Sequence, residues 1–177
     1  MKPCAHCSAE FEPVRPMQSV CSPKCAAATV KARAVKRKAE ARVKQARDKG
    51  VRYWTKKAQA SFNAYIRARD RQQPCICCGR TTSDHDLVTG SRWDAGHYRS
   101  TGSASHLRFN EDNVHRQLVR CNRHGAGRAV DYRLGLIQRI GLARVEALET
   151  DNAPRKWTVD ELMAIDAQYR AKLKGLL

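Results

Sequence analysis

The sequence predicts an α+β protein in which helices dominate. Helix-forming composition or helical periodicity marks four stretches, at 26–52, 53–72, 128–147 and 157–173. Between them, 75–125 is rich in Cys, His, Asn, Gly and Arg and has few long apolar runs, which favours short strands and loops. The first 27 residues carry four cysteines separated by Pro and Ser, a composition typical of a small metal knuckle. The expected order is therefore a knuckle at 1–27, a basic helix or linker at 28–52 and a larger domain at 53–177.

The charge of the chain is strongly positive. It has 34 Lys and Arg against 17 Asp and Glu in 177 residues, a formal net charge of +17. Such an excess points to a polyanionic partner, which is DNA, RNA or an acidic membrane surface. No stretch approaches the roughly 20 apolar residues of a membrane span. Polar residues interrupt the N-terminus too early for a signal peptide, so we expect the protein in the cytoplasm.

The most basic stretch has the sequence AAATVKARAVKRKAEARVKQARDKG, in which the first Gly is Gly50. Ala, Lys, Arg and Glu favour a helix, but mostly Ala and Val are available for burial. Two interpretations are compatible here: a solvated charged helix or linker, and a helix that binds DNA phosphates. The cations that would contact phosphates are Lys31, Arg33, Lys36, Arg37, Lys38, Arg42, Lys44 and Arg47.

The three later helices have apolar stripes that predict packing in a core. The stripe of 53–72 consists of Trp54, Ala58, Phe62, Tyr65 and Ile66. The stripe of 128–147 consists of Val130, Leu134, Ile137, Ile140 and Leu142. The stripe of 157–173 consists of Leu162, Ile165, Tyr169 and Leu173. Thr158, followed three residues later by Glu161, predicts a capping box at the start of the last helix.

The first four cysteines form two close pairs, Cys4 with Cys7 and Cys21 with Cys25. Cytosolic thiols stay reduced, so their spacing favours metal ligation over disulfides. Two such pairs can bring four thiolates together around a tetrahedral zinc ion. Because four thiolates fill the coordination shell, we expect this zinc to be structural, and to supply folding energy that so short a segment lacks.

A second group of chemically active residues follows a fixed order along the chain. A CxxC pair, Cys75 and Cys78, precedes WDAGH, which is followed by an asparagine and then by CNRH. This order of cysteine pair, histidine beside an acidic residue, asparagine and Cys-Asn is typical of the ββα-metal finger of His-Asn-His nucleases. Hydrolysis of a phosphodiester needs a base, for which neutral imidazole is suited near pH 7. It also needs a divalent cation, Mg²⁺ or Mn²⁺, which oxygen ligands such as Asp and Asn can hold.

From about Tyr53 onward the chain resembles the NinG (Rap) family of lambdoid phage recombination proteins. The resemblance is carried by YWTKKAQASFNAYIRARDRQQPCICCG, WDAGHYRS, LRFNEDNVHRQ, CNRH and RKWTVDEL, and more loosely by the N-terminal knuckle and basic helix. It implies that 53–177 is a His-Asn-His nuclease domain with C-terminal helices. It further implies a structure-specific endonuclease that acts on branched DNA, such as D-loops and Holliday junctions, in the host cytoplasm.

Carried over residue by residue, the resemblance implies five active-site residues. His97 would be the general base, and Asn113 would orient its ring. Asn122, at a helix start, would be a ligand of the catalytic metal, and Asp94 would assist it. Arg99 would contact the phosphate.

The resemblance also implies a second structural zinc, whose ligands include Cys75, Cys78 and Cys121. The family pattern places another cysteine at position 118, where this chain has Leu118. The candidate replacements are His124, His115 and Cys77. We prefer His124, because it follows Cys121 at a Cys-x-x-His spacing and because adjacent cysteines do not easily share one ion. The alternative is that this zinc is weakened or lost.

Two rival functions stay open at this point. One is a non-catalytic nucleic-acid-binding or annealing zinc protein with degenerate nuclease motifs, which the departure at Leu118 keeps alive. The other is an RNA-binding regulator with the same charge pattern. Symmetrical cutting of a junction would need two active sites, which makes a homodimer attractive. His85 and His106 are assigned no role.

Overall fold

The computed structural model describes residues 1–81 and 92–176, so His85 lies outside the described part. The chain divides into two units, Met1–Lys49 and Gly50–Leu177. Among the described residues helices dominate and the two sheets are small, which confirms the predicted α+β class at that level.

The first unit contains a short hairpin and one long helix. Strands β1 (Lys2–Pro3) and β2 (Glu10–Phe11) pair antiparallel. Helix α1 spans Pro23–Arg47, and the Ser22 side chain caps it by accepting a hydrogen bond from the Cys25 amide. Cys25 is buried, whereas the eight cations proposed above for phosphate contact are all exposed. The helix therefore presents its positive charge to solvent.

The second unit is built on the packing of two helices, α2 (Gly50–Arg69) and α5 (Val159–Lys174). The rings of Phe62 and Tyr169 meet edge to face with centroids 4.7 Å apart. The predicted apolar stripe of α2 is buried except for Tyr65, which is half-buried and whose hydroxyl donates to the Glu111 carboxylate.

The predicted capping box at the start of α5 is present. The Thr158 side chain accepts from the Glu161 amide, and the Glu161 carboxylate accepts from the Thr158 amide. Local spacing was sufficient for this prediction.

The second sheet pairs β3 (Trp93–His97) with β4 (Val114–Leu118) in antiparallel register, with Gly96 opposite His115. The buried Tyr132 hydroxyl donates to the Gly96 carbonyl and accepts from the His115 amide. One phenol therefore links the two strands at the Gly96–His115 pair, which is next to the end of the ladder. A short 3₁₀ turn, Ser105–Leu107, lies in the segment between the strands.

After the sheet the chain forms a π-helical turn at Arg120–His124, a 3₁₀ turn at Ala126–Arg128, and helices α3 (Ala129–Ile140) and α4 (Leu142–Thr150). The prediction of one continuous helix over 128–147 is wrong. Gly141 has a φ of +85°, a conformation that favours glycine, and it separates the two helices.

The predicted apolar stripe of α3 is also partly wrong. Val130 and Leu134 are 76% and 57% exposed, whereas Tyr132 and Leu136 are buried. The reason is a close backbone approach: a side chain at Gly135 would overlap the carbonyl of Ile76, so this face of α3 lies directly on the segment after α2. The core formed there consists of Ile76, Ala104, Leu107, Tyr132, Leu136, Val145 and Leu148.

Candidate metal centres and active site

The first metal centre consists of the four cysteines that the spacing predicted. The sulfur atoms of Cys4, Cys7, Cys21 and Cys25 all lie within 4.8 Å of one another. The Cys21 sulfur is 3.6 Å from that of Cys7 and 3.5 Å from that of Cys25. Cys25 is placed by the first turn of α1, and Cys21 by the segment before its cap. Four soft thiols in this proximity fit a tetrahedral zinc ion.

Backbone amides favour the charged form of one of these thiols. The N–H groups of Cys7 and His6 lower the pKa of Cys4 to about 6, against a small opposing effect of burial. The neighbouring sulfurs of Cys25 and Cys7 raise the pKa of Cys21 to about 12, because a second negative charge beside them is unfavourable. A divalent cation would remove that repulsion, which is the expected behaviour of a thiolate metal site.

The second centre also contains four cysteines, but its members differ from the predicted set. Cys75, Cys77, Cys78 and Cys121 lie with their sulfurs within 4.8 Å of one another. The sulfur of Cys77 is 3.6 Å from that of Cys75, and the sulfur of Cys121 is 3.7 Å from that of Cys78. Gly79, with a φ of +63°, turns the chain so that its amide donates to the Cys75 carbonyl. This tight turn brings three nearby thiols to one side.

The structure therefore places Cys77, rather than the predicted His124, in this cluster. His124 is exposed on the π-helical turn and does not belong to the group. The Gln117 side-chain amide donates to the Cys77 sulfur at 3.4 Å, and the Leu118 backbone amide donates to the Cys75 sulfur at 3.3 Å. Position 118 thus contributes its N–H to the cluster, and the thiol comes from position 77. Both clusters could hold zinc.

His97 stands at the end of β3 and is half-buried. Its Nε2 lies 3.1 Å from the carbonyl oxygen of Arg108. Burial lowers the pKa of His97, although the carbonyls of Arg108 and Ala95 act in the opposite direction. The imidazole is consequently neutral near pH 7, the form that can accept a proton.

Asn113 does not contact the His97 ring, contrary to the role implied by the resemblance. It is fully buried, and its Oδ1 accepts from the Arg99 amide at 2.8 Å. Its Nδ2 donates to the carbonyls of Arg99 and Leu107 at 3.0 and 3.2 Å. These three bonds close the segment between β3 and β4 on itself. Asn113 thereby holds Leu107 in place. Leu107 precedes Arg108, whose carbonyl contacts His97.

Asp94 and Asn122 do lie together, as the mapping implied. The Asn122 Nδ2 donates to the Asp94 Oδ2 at 2.9 Å. Arg123 approaches the same carboxylate with two bonds, from Nε at 2.9 Å and from an Nη at 2.8 Å. Burial opposes ionisation of Asp94, but the hydrogen bonds from Arg123 and Asn122 prevail and lower the pKa of the carboxyl. Asp94 is therefore a carboxylate at neutral pH.

Arg99 is a structural anchor instead of the implied phosphate contact. Its guanidinium donates to the carbonyls of Leu148 and Glu149 at the end of α4, and also to the carbonyl of Asp151. A second nitrogen donates to the Asn152 side chain at 2.9 Å. Carbonyls at a helix C-terminus are without helical partners and attract cations, which explains this position.

His115, which the sequence left between several roles, is buried away from the cysteine clusters. Its Nδ1 lies 3.1 Å from an Arg69 nitrogen and 3.3 Å from the Asp70 carboxylate, and its Nε2 lies 3.2 Å from the carbonyl of Asp112. Asp70 also accepts from the Arg116 amide. His115 therefore belongs to a buried polar network that joins the end of α2 to β4.

His97 and Asn122 line one open cavity of about 350 Å³. The residues that complete its wall include Ala95, Tyr98, Ser100, Thr101 and Gly127. A neutral imidazole and an amide thus face a common space, and a carboxylate is hydrogen-bonded to that amide. This arrangement can accept a proton and offer oxygen ligands to a hard cation.

Sequence reasoning missed two contributors to this region and ranked a third, Cys77, below His124. Cys77 carried a signal, since it lies inside CICCG, but adjacency to Cys78 argued against it. Arg123 lies inside the CNRH motif, so its side chain could have been considered. The carbonyl of Arg108 carries no residue-specific signal.

In the described ranges, 1–81 and 92–176, no helix has both the length and the apolar character needed to cross a membrane.

The fold and its sites define a class: a strongly basic, mainly helical protein with two four-cysteine centres that could hold zinc. The family model described as Bacteriophage Lambda NinG protein matches residues 1–177, and the chain belongs to the NinG family. It is 51% identical over 124 residues to Protein ninG of Salmonella phage P22, covering 70% of this chain and 58% of that protein. It is 50% identical to Protein ninG of Escherichia phage lambda, covering 70% and 57%, and 50% identical to that of Escherichia phage 933W, covering 70% and 58%. The chain spans a little over half the length of these relatives. No solved structure matches it.

Proposed function

We propose that this protein is a metal-dependent DNA endonuclease that cuts branched recombination intermediates. One observation supports the hydrolase assignment above all: the half-buried His97 ring is held at Nε2 by a backbone carbonyl and faces the same cavity as Asn122. Within the class of ββα-metal nucleases, this pair would be the general base and a metal ligand.

His97 would begin hydrolysis by accepting a proton from water. Because Nε2–H donates to the Arg108 carbonyl, Nδ1 would carry the lone pair that takes this proton. The resulting hydroxide attacks phosphorus, and the 3′ or 5′ oxygen of the sugar leaves with the bonding electrons. Fixing one tautomer in advance removes a reorientation step from the reaction.

The Asp94 carboxylate and the Asn122 side-chain oxygen would hold the divalent ion. Mg²⁺ commonly binds through one or two protein oxygens, with water and phosphate completing its shell, so this small set fits Mg²⁺ or Mn²⁺. When bound, the ion supplies charge neutralisation at the phosphate and at the leaving oxygen. Both zinc ions would be structural, since four thiolates leave no open position.

The exposed cations of α1 support DNA as the partner. In the second unit, a further cavity beside the second cysteine centre is lined by Arg80, Arg120 and Arg128. Each phosphate that a Lys or Arg neutralises releases counterions, so both surfaces would contribute affinity without base specificity. Preference for D-loops and Holliday junctions is proposed from the family resemblance. Action as a homodimer is proposed because symmetrical cutting of a junction needs two active sites.

The test is cleavage of a labelled Holliday junction by the full-length, zinc-loaded chain with Mg²⁺. His97→Ala is expected to reduce the cleavage rate by about 10²-fold or more, the usual contribution of a general base. It should leave junction affinity unchanged, because His97 carries no charge at neutral pH. His124→Ala, an exposed histidine of the same unit, is the matched control and should cleave normally.

A pH profile sharpens this test. The base must be unprotonated, and the pKa of His97 is lowered, so cleavage should rise with pH on an acid limb whose midpoint lies below 6.5. If wild type and His97→Ala bind the junction but neither cuts it, the protein is instead the non-catalytic DNA-binding zinc protein. Tighter binding to structured RNA than to the junction at equal salt would favour the RNA-binding alternative.

A further inference from the structure

Asp94 is held by an arginine in the geometry of a two-point ion pair. Arg123 reaches Oδ2 with Nε at 2.9 Å and Oδ1 with an Nη at 2.8 Å, so both carboxylate oxygens are engaged. The Asn122 amide adds a bond to Oδ2. The planar guanidinium fork matches a carboxylate in this way and gives one of the stronger ion pairs available to a protein.

The two partners differ in their access to solvent. The Asp94 side chain is 16% exposed, whereas the Arg123 side chain is 60% exposed. Asp94 is fixed on β3, and Arg123 extends from the π-helical turn at Arg120–His124. The carboxylate therefore stays in place, while the arginine has open space into which it can turn.

A divalent ion and this guanidinium compete for the same oxygens. A cation bound to Asp94 would lie close to a second positive charge if Arg123 kept both of its bonds, and that repulsion is costly in a partly buried site. Asn122 raises no such conflict, since it is neutral and has a side-chain oxygen to offer. Of the two groups on Asp94, the arginine is the one that a metal ion must displace.

We propose that Arg123 is a stand-in cation for the divalent ion at Asp94. In the metal-free protein it neutralises the carboxylate; when the ion binds, it is released and turns outward to contact a DNA phosphate. This inference rests on the proposed function, because it takes Asp94 as a ligand of the catalytic ion. It makes metal binding and DNA binding mutually supportive, since the ion frees an arginine for the phosphate backbone.

The first experiment measures Mn²⁺ binding without DNA. Full-length, zinc-loaded protein is titrated with Mn²⁺, and electron paramagnetic resonance reports the free ion. Arg123→Gln is expected to lower the Mn²⁺ dissociation constant by roughly fivefold or more, on the scale of a partly shielded two-point ion pair. Arg123→Lys keeps the charge but loses the planar guanidinium fork, so its Mn²⁺ dissociation constant should lie between those of wild type and Arg123→Gln.

Arg67→Gln is the matched control for charge alone. Arg67 affects the pKa of Asp94 electrostatically, but in the described part of the chain no hydrogen bond joins it to that carboxylate. Removing its charge should therefore tighten Mn²⁺ binding much less than Arg123→Gln does. Equal effects of the two substitutions, or no effect of Arg123→Gln, would overturn the stand-in role.

Asp94→Asn separates this inference from the proposed function. Suppose that Asp94→Asn abolishes Mn²⁺ binding but Arg123→Gln leaves the Mn²⁺ dissociation constant unchanged. That result refutes the stand-in role and leaves the proposed metal site intact. If wild type shows no Mn²⁺ binding that depends on Asp94, the stand-in role and the proposed metal site fail together.

The second experiment follows the released arginine. Junction affinity is measured against salt concentration in Ca²⁺ and in buffer free of divalent ions. In Ca²⁺ the wild-type slope of log affinity against log salt should exceed that of Arg123→Gln by about one phosphate contact, roughly 0.9. Without divalent ions the two slopes should agree, because Arg123 is then held by Asp94. A slope difference of the same size in both buffers would contradict the release.

Discussion

The two four-cysteine centres have the same ligands but different surroundings. In the first, Cys7 is exposed and Cys21 half-buried, and the hairpin beside them has two residues per strand. In the second, the thiols pack against Trp93 and Leu118 of the β3–β4 sheet, both buried. The same chemistry therefore has two physical roles: a metal ion would replace a missing core in the first unit and join an existing core in the second.

Zinc removal should produce the largest difference in folding between the two units. Because structural zinc contributes about 10–16 kcal/mol to the folding of zinc-finger peptides, chelation at pH 7 is expected to unfold residues 1–22 completely. Helices α2 and α5 should stay folded, since Phe62 and Tyr169 pack without a metal. Hydrogen exchange with mass spectrometry measures both units in one sample. Protected amides in the chelated hairpin would show that the first unit has a sufficient core of its own.

Substitution of single ligands gives the next largest effect. Cys77→Ser should reduce bound zinc from two ions per chain to one, and Cys7→Ser should do the same through the other centre. Cys77→Ser should also lower the free energy of unfolding of the second unit by about 2 kcal/mol or more, because it removes a proposed metal ligand that also accepts a hydrogen bond from Gln117. Elemental analysis with urea unfolding tests both effects.

His124→Ala is the control for this experiment and should retain two zinc ions. Loss of one ion in His124→Ala, with two retained in Cys77→Ser, would restore the ligand set preferred from the sequence.

The smallest expected effect concerns how the second centre joins its core. A side chain at Gly96 would overlap Gln117 Oε1, and the amide nitrogen of Gln117 donates to the Cys77 sulfur. Gly96→Ala should therefore destabilise the second unit by about 1–3 kcal/mol, as overpacking does. Gly102→Ala, whose added carbon would come no closer than 3.8 Å to the Ser100 hydroxyl, should change stability by less than about 0.5 kcal/mol. Equal urea midpoints for the two variants would mean that Gln117 moves freely.

The sequence predicts well what depends on spacing along the chain. The capping box needs only Thr158 and Glu161 three residues apart, and the first centre needs only two close cysteine pairs. The buried face of α2 follows from 3.6-residue periodicity. A local signal for the break between α3 and α4 was also present, because Gly141 interrupts the helical pattern.

The sequence predicts poorly those features that depend on partners distant along the chain. Arg99 bonds carbonyls about 50 residues later, and such acceptors have no signature in residue type. Asn113 has the residue type of an orienting group, yet its amide is saturated by the backbone of Arg99 and Leu107. Adjacency to Cys78 disfavours Cys77 as a ligand in the sequence, whereas in the structure the turn at Gly79 determines which thiols converge.

The anchor made by Arg99 bears on how the protein is synthesised. A nascent chain that ends before Leu148 already contains every side chain proposed for hydrolysis, but it lacks the carbonyls that hold the segment after β3. The ribosome must therefore release the C-terminal helices before this segment can take its final position. Early termination between His124 and Leu148 would yield a polypeptide with the complete set of reactive groups but without the Arg99 anchor, so only local bonds such as those of Asn113 would hold the segment.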